Sequence, residues 1–184
     1  MKVLLTAFGA FPGVPINPSQ VLLEGFAKPD ALNFQLHKVL LPVDYSYCVQ
    51  WLSTLTEEYD LVIHMGVANN ASQNQVELQA KNYRGLTPDT KGFFCEGKIS
   101  LEKPEVLMTD LSFDFLEGES YKQIVKSRDA GDYLCNFLYF KSLEKGSFRR
   151  VLFYHLAPDS IISADLQQKL LAWLLKQIFI ENYR

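Results

Sequence analysis

Cys135 is the residue of this chain best placed to act as a nucleophile. The segment DAGDYLCNFLYFKSLEKG (129–146) predicts a helix capped by Asp132 and stopped by Gly146, so Cys135 falls in the first turn. Free N–H groups and the macrodipole at a helix N-terminus favour a thiolate, the nucleophilic form of cysteine. The alternative is a buried, inert thiol, because the flanking residues are aromatic or leucine.

The other two cysteines are weaker candidates. Cys48 lies next to Val49 in a predicted helix, where we expect it to be part of the core, and Cys95 lies in a glycine-rich loop, where its role is open. Three widely spaced cysteines are typical of neither a disulfide framework nor a zinc cluster. We therefore expect a cytoplasmic protein.

A cysteine nucleophile needs a base, and His155 is the preferred one. It ends the apolar segment VLFYH, and the carboxyl end of a buried strand presents side chains to a catalytic edge. His64 lies inside another apolar run and is expected to be a hydrogen-bonded core residue. His37 lies on an alternating segment and is expected to face solvent.

Glu77 is the candidate for the acid that orients the imidazole. It stands between Val76 and Leu78 in QVELQAKN, where the alternative is an exposed strand glutamate. Cysteine, histidine and an acid are the three parts of a thiol acyl-transfer site, which is recognised by geometry and not by chain order.

The stretch TAFGAFPGVPINPS (6–19) follows an apolar run and suggests a phosphate-binding loop. Its glycines do not have the spacing of such a loop or of a dinucleotide fingerprint, and no Lys-Ser or Lys-Thr pair follows them. Phe8 and Phe11 lie three residues apart with no cation between them. A pocket built from these rings would prefer a flat, neutral group.

Length and charge limit the class of protein. The 184 residues suffice for one domain spanning 1–184, and 48% of them are hydrophobic. The net charge is −3 and no long basic cluster occurs, so we expect no nucleic-acid partner. No apolar stretch reaches the roughly 20 residues that a membrane span needs, and the first residues are typical of a strand and not of a signal peptide.

Apolar runs of strand length alternate with amphipathic segments along the chain. We expect strands at 2–8, 34–43, 60–68 and 149–157. Helices are expected at 45–59, 120–127, 132–145 and 163–183, the last capped by Ser163. Residues 73–83 are expected to be extended and 84–98 to form a loop, while 101–118 show no clear pattern. This alternation predicts an α/β/α layered domain with its chemistry at the strand ends.

Four segments together resemble the pyroglutamyl peptidase I family, also called pyrrolidone-carboxylate peptidases. SRDAGDYLCN resembles its cysteine segment, VELQAKN its Glu-Arg-Val-Ala-x-Asn segment, and VLFYHLA its Phe-x-His-x-Pro strand. The opening loop is similar to the family signature Thr-Gly-Phe-x-Pro-Phe-Gly-Gly, followed by Asn-Pro-Ser. The segments occur in the family's order and at comparable spacing.

The resemblance implies a role for each matching residue. Cys135 would be the nucleophile, His155 the general base and acid, and Glu77 the residue that orients His155. Phe8 and Phe11 would hold the pyroglutamyl ring. Asn17 would shape that pocket or have a structural role in its loop.

The resemblance also implies the fold and the activity. The fold would be a three-layer α/β/α sandwich around a twisted, mostly parallel sheet, often assembled as a homodimer or homotetramer. The enzyme would be a cysteine exopeptidase that removes N-terminal pyroglutamate from peptides through a thioester, with no metal or organic cofactor. The alternatives are a thiol hydrolase for another small acyl or lactam amide, and a non-catalytic binding protein on the same fold.

The chain departs from the family pattern at several positions. The opening loop has Ala7, Gly9, Ala10 and Pro12 in place of the usual distribution of glycine and proline. Ala157 replaces the proline that commonly follows the histidine. Where an arginine is often found beyond the glutamate, this chain has Thr87, and Arg84 is the nearest alternative.

Overall fold

A mixed sheet organises residues 1–117 and 122–183, the part of the chain that the computed structural model describes. In chain order the strands are β1 (Lys2–Phe8), β2 (Gln35–Leu41), β3 (Leu61–Val67), β4 (Asn74–Glu77), β5 (Gln79–Lys81), β6 (Val106–Met108), β7 (Ile124–Ser127) and β8 (Val151–Leu156). Six of these described strands form the main sheet in the order β2-β1-β3-β8-β4-β7. Only the β4–β8 pair in it is antiparallel, while β5 and β6 form a separate antiparallel ribbon.

Helices cover both faces of this sheet. They are α1 (Pro18–Gly25), α2 (Tyr45–Thr54), α3 (Leu134–Lys145) and α4 (Ala164–Asn182), with a short 3₁₀ turn at Asp114–Leu116. One apolar core lies between the sheet and α1 with α4, and a second lies between the sheet and α2 with α3. The predicted three-layer α/β/α sandwich around a mostly parallel sheet is therefore confirmed. None of the described helices combines the length and apolar character needed to cross a bilayer.

The two-residue period of the strands decides which side chains meet α3. On β8, Leu152 and Tyr154 belong to the core on the α4 side, whereas Phe153 belongs to the core on the α3 side. His155 has the same parity as Phe153, so it points towards the layer that contains α3. Glu77 likewise alternates with Val76, which belongs to the α4 side.

Two predicted helices differ from the structure. Residues 124–127 form the strand β7, which pairs in parallel with β4, so the helix expected at 120–127 was wrong; its first two residues lie outside the described part. Pairing with β4 outweighs a helical pattern of only eight residues. Helix α2 ends at Thr54 instead of 59, and the ammonium of Lys145 donates to the carbonyl oxygens of Leu52 and Leu55 at this end.

The capping residues of α1 and α3 were predicted only in part. Helix α1 was not predicted from the sequence; Asn17 is its N-cap and Pro18 its first residue. Helix α3 stops at Gly146 as expected, in a left-handed conformation with φ 67°. The predicted cap Asp132 was wrong, because Tyr133 is the N-cap and provides no side-chain cap. The carboxylate of Asp132 lies instead against Gly85, whose N–H donates to the Asp132 backbone carbonyl.

Candidate active site

Cys135, His155 and Glu77 are brought together from three separate elements. Cys135 is the second residue of α3, His155 is next to the last residue of β8, and Glu77 is the last residue of β4. Because β8 and β4 are neighbours and α3 packs on the face towards which both side chains point, the three side chains come together, with His155 interacting with both of the others. The spatial grouping expected from the sequence is present.

His155 is the centre of this group. Its Nδ1 lies 2.7 Å from Glu77 Oε1, and both residues are buried. The carboxylate accepts the Nδ1 proton, which leaves Nε2 free to interact with Cys135. Burial disfavours the imidazolium, but the hydrogen bonds to Cys135 and Glu77 outweigh it and raise the pKa of His155 to about 9. These two contacts therefore favour the charged form of the imidazole.

A histidine beside a thiol can accept the thiol proton, so His155 can serve as the base for Cys135. Glu77 accepts the proton on the far side of the ring, so it fixes both the orientation and the tautomer of His155. The Glu77 Oε2 atom has no hydrogen-bond partner among the described residues.

Gly66 allows Cys135 to approach the sheet closely. It lies on β3 directly opposite His155 in the parallel register. A Cβ built on Gly66 would lie 2.9 Å from Cys135 Sγ and 3.1 Å from Phe153 Cζ. Any side chain here would collide with the thiol or with the ring under it.

A cavity of about 150 Å³ opens beside Cys135. Phe8, Phe11, Val43 and Leu134 supply apolar surface to its lining, which is completed by Asn17, Gly66, Val67, Asn69, Tyr133 and Cys135. Phe8 is buried at the end of β1, whereas Phe11 is half-buried in the loop that follows. The two rings predicted to form a pocket thus line one cavity together with the thiol.

Asn17 holds the loop that carries Phe11. Its Oδ1 accepts hydrogen bonds from the backbone N–H and the hydroxyl of Ser19, at 3.0 and 2.9 Å. Its Nδ2 donates to the carbonyl oxygen of Gly9 at 3.1 Å. Both polar atoms of Asn17 therefore bind protein groups, and the residue contributes to the cavity by fixing its wall.

The remaining histidines differ from His155. His64 is fully buried between the hydroxyls of Thr6 and Ser142, at 2.7 and 2.8 Å, and burial lowers its pKa to about 3. The core position predicted for it is confirmed. His37 is half-buried and its Nδ1 lies 2.9 Å from the Tyr59 hydroxyl, so it faces solvent only in part.

The remaining cysteines also differ from Cys135. Cys48 is fully buried, as predicted, and burial raises the pKa of its thiol to about 12. Cys95 is exposed and Cys135 is intermediate. Cys135 thus differs from Cys48 in access to the cavity and from Cys95 in having a histidine partner.

The family model described as pyroglutamyl peptidase matches residues 1–158. The chain belongs to the pyroglutamyl peptidase family. A curated relative, the pyrrolidone-carboxylate peptidase of Lactobacillus acidophilus, is 31% identical over 77% of this chain and 74% of its own length. A human pyroglutamyl-peptidase 1-like protein is 30% identical over 80% and 76%.

Solved structures of pyroglutamyl peptidases have the same fold. The pyrrolidone carboxyl peptidase of Fervidobacterium islandicum AW-1 superposes with a TM-score of 0.86 at 26% identity, and the match covers 96% of this chain and 97% of that protein. The departures from the family pattern therefore occur within a conserved architecture.

Two of these departures have a structural account. Ala157 replaces a proline, and its N–H, which proline would lack, donates to Asn74 Oδ1 at 2.8 Å. Asn74 in turn donates to the Tyr154 hydroxyl at 2.7 Å, beneath the strand that carries His155. Arg84 lies over the rings of Tyr45 and Phe137, at 6.0 and 5.4 Å, and is absent from the described lining of the cavity.

Several lining residues were missed by sequence reasoning. Gly66 was the detectable one, because a glycine within the apolar strand HMGVA indicates that another group approaches the backbone. The cavity is also lined by the N-cap of α3, Tyr133, and by one residue just after each of two strands: Val43 after β2 and Asn69 after β3. No local pattern distinguishes such positions, because tertiary packing alone brings them to the cavity.

Proposed function

We propose that this chain is a cysteine exopeptidase that removes an N-terminal pyroglutamyl group from peptides. The observation that carries the proposal is the buried hydrogen bond between Glu77 and His155, with Cys135 interacting with the same imidazole beside a cavity lined by Phe8 and Phe11. Membership of the pyroglutamyl peptidase family supports the same activity.

The acyl group is recognised by shape and by lack of charge. A pyroglutamyl residue has its amine closed into a lactam, so it carries no ammonium for an acidic residue to bind. Phe8 and Phe11 offer aromatic surface in a cavity of about 150 Å³, which suits a small, flat, neutral ring. Asn17 keeps the loop in place by bonding to Gly9 and Ser19.

Acylation begins when His155 takes the thiol proton of Cys135, which gives a thiolate and an imidazolium. The sulfur attacks the carbonyl carbon that joins the pyroglutamyl group to the next residue, forming a C–S bond and a tetrahedral oxyanion. When the C–N bond breaks, the imidazolium of His155 gives its Nε2 proton to the departing amine. The products of this step are a thioester on Cys135 and a shortened peptide.

The beginning of α3 can stabilise the oxyanion. Its N-cap, Tyr133, makes no side-chain cap bond, so the first backbone N–H groups of α3 are not occupied by a capping side chain. Such donors, in the positive end of the helix dipole, are suited to bind the charge that develops in the transition state.

Deacylation uses the same histidine in reverse. His155, now neutral, takes a proton from a water molecule that attacks the thioester carbonyl. Collapse of the second tetrahedral species releases pyroglutamate and restores the thiolate and the imidazolium. Glu77 stabilises the imidazolium in both half-reactions without taking its proton.

A fluorogenic pyroglutamyl arylamide tests the proposal. The wild-type chain and Cys95→Ala should both release the fluorophore, whereas Cys135→Ala should reduce kcat/KM by at least about 10³-fold, the scale of loss of a catalytic nucleophile. Cys95→Ala is the matched control because Cys95 is an exposed cysteine outside the cavity lining. Activity retained in Cys135→Ala would refute the proposal, and release of other aminoacyl arylamides at equal rates would indicate a different acyl specificity.

Three further expectations stay predictions. The homodimer or homotetramer is tested by light scattering of the purified chain. The cytoplasmic location is tested by cell fractionation. The single domain over 1–184 is tested by whether thermal unfolding is one cooperative transition.

A further inference from the structure

The mouth of the cavity carries one hydrogen-bonding group that the proposed chemistry does not use. Of the described lining residues, Asn69 alone is exposed, while Phe8, Asn17, Val43, Gly66 and Leu134 are buried. Asn69 therefore lies where the cavity meets solvent. A peptide whose pyroglutamyl group fills the cavity has to leave through this mouth.

The other polar side chains of the lining already interact with protein groups. Both polar atoms of Asn17 bind protein groups, and the Tyr133 hydroxyl donates to the Pro88 carbonyl at 2.9 Å. Cys135 is engaged with His155. The carboxamide of Asn69 makes no hydrogen bond within the described residues, so its donor and its acceptor are both available.

We propose that Asn69 is a specificity-determining residue that binds the backbone of the departing peptide, just beyond the residue that follows pyroglutamate. A peptide backbone presents an N–H and a C=O at every residue, and one carboxamide can pair with both. Such a contact does not depend on the side chains of the substrate. This inference rests on the proposed function and adds a preference for peptides over simple arylamides.

The local backbone allows a clean test. Asn69 and Asn70 occupy the two central positions of a turn closed by the Ala71 N–H and the Ala68 carbonyl, at 3.0 Å. Neither asparagine has a positive φ, so alanine fits both positions without backbone strain. Asn70 is exposed in the same turn but does not line the cavity, which makes Asn70→Ala the matched control.

The experiment compares two substrates that share the pyroglutamyl group. One is a pyroglutamyl-alanyl-alanine peptide, which has a peptide bond beyond the scissile one, and the other is a pyroglutamyl arylamide, which has none. Asn69→Ala should lower the ratio of kcat/KM for peptide over arylamide by roughly three- to tenfold, the effect of losing neutral hydrogen bonds. Asn70→Ala should leave this ratio at its wild-type value.

The ratio separates this inference from the proposed function. An unchanged ratio in Asn69→Ala overturns the inference while arylamide hydrolysis still supports the exopeptidase. Equal losses on both substrates also overturn it, because they place Asn69 against the acyl group or in the fold. Asn69→Asp adds a further readout: it removes the donor and keeps an acceptor, so its ratio should fall between those of Asn69→Ala and the wild type.

Discussion

Replacing Gly66 by alanine should misplace the Cys135 thiol without removing any catalytic group. The added Cβ would lie 2.9 Å from Sγ, whereas ordinary contact begins near 3.4 Å, so the sulfur has to retreat by about 0.5 Å. A displacement of about 1 Å at a reacting group can cost about 100-fold, so this shift predicts a roughly tenfold loss in kcat/KM, or about 1.4 kcal/mol. Since Phe153 Cζ is also only 3.1 Å from the new methyl group, we expect a lower melting temperature as well.

The assay for Gly66→Ala combines arylamide hydrolysis with alkylation of Cys135 by iodoacetamide. Alkylation is followed by peptide mass spectrometry, because the exposed Cys95 also reacts. Gly9→Ala is the matched control, since its Cβ would lie 3.8 Å from the nearest atom, the Leu41 carbonyl oxygen. If Gly66→Ala hydrolyses the arylamide and alkylates as Gly9→Ala does, the thiol does not depend on close approach to β3.

Three other variants test separate parts of the site. Glu77→Gln removes a group that raises the pKa of His155 to about 9, so the alkaline fall in kcat/KM should move to lower pH; an unmoved pH profile would remove Glu77 from the catalytic group. The raised pKa of His155 stabilises the fold fully below about pH 6.5, and this stabilisation is lost as the pH rises through about 9. The free energy of unfolding of the wild type should therefore fall between these pH values, and it should fall less in Glu77→Gln. Phe11→Ala should raise KM several-fold with little loss of stability, since Phe11 is only half-buried, and an unaltered KM would contradict the ring pocket. Asn17→Ala should lower the free energy of unfolding by about 1 kcal/mol through loss of the α1 cap, and unchanged urea denaturation would contradict that role.

The choice of Phe11 over Phe8 comes from the structure. Both rings line the cavity, but Phe8 ends β1 and is buried in the core with Leu4 and Leu41. Truncation of such a ring costs about 3–5 kcal/mol of stability, which would mix binding with unfolding. Sequence spacing alone treats the two rings as equivalent.

Much of the sheet could be predicted from the sequence because its central strands are buried on both faces. β3 and β8 are continuous apolar runs, and that pattern needs no knowledge of the neighbours. Gly146 marked the end of α3 for an equally local reason, its left-handed φ of 67°. Once β8 is paired with β4, His155 and Glu77 lie on the same face of the sheet, the face on which α3 places Cys135.

The remaining features depend on contacts between distant residues. β7 has a short, ambiguous sequence, and its pairing with β4 decides its conformation. Asp132 has the residue type of an N-cap, but its carboxylate packs on Gly85, which lies 47 positions earlier in the sequence. The burial of Glu77 could not be predicted either, since an alternating strand is also compatible with an exposed glutamate.

Locating the covalent intermediate tests whether Cys135 is the nucleophile of this enzyme. The wild-type chain is mixed with an excess of pyroglutamyl arylamide, quenched in acid during turnover, digested and examined by mass spectrometry. We predict the mass of one pyroglutamyl group on the peptide that contains Cys135, with the peptides of Cys48 and Cys95 unmodified. Turnover with the acyl group on Cys95, or continued turnover by Cys135→Ala, would show that Cys135 is not the nucleophile.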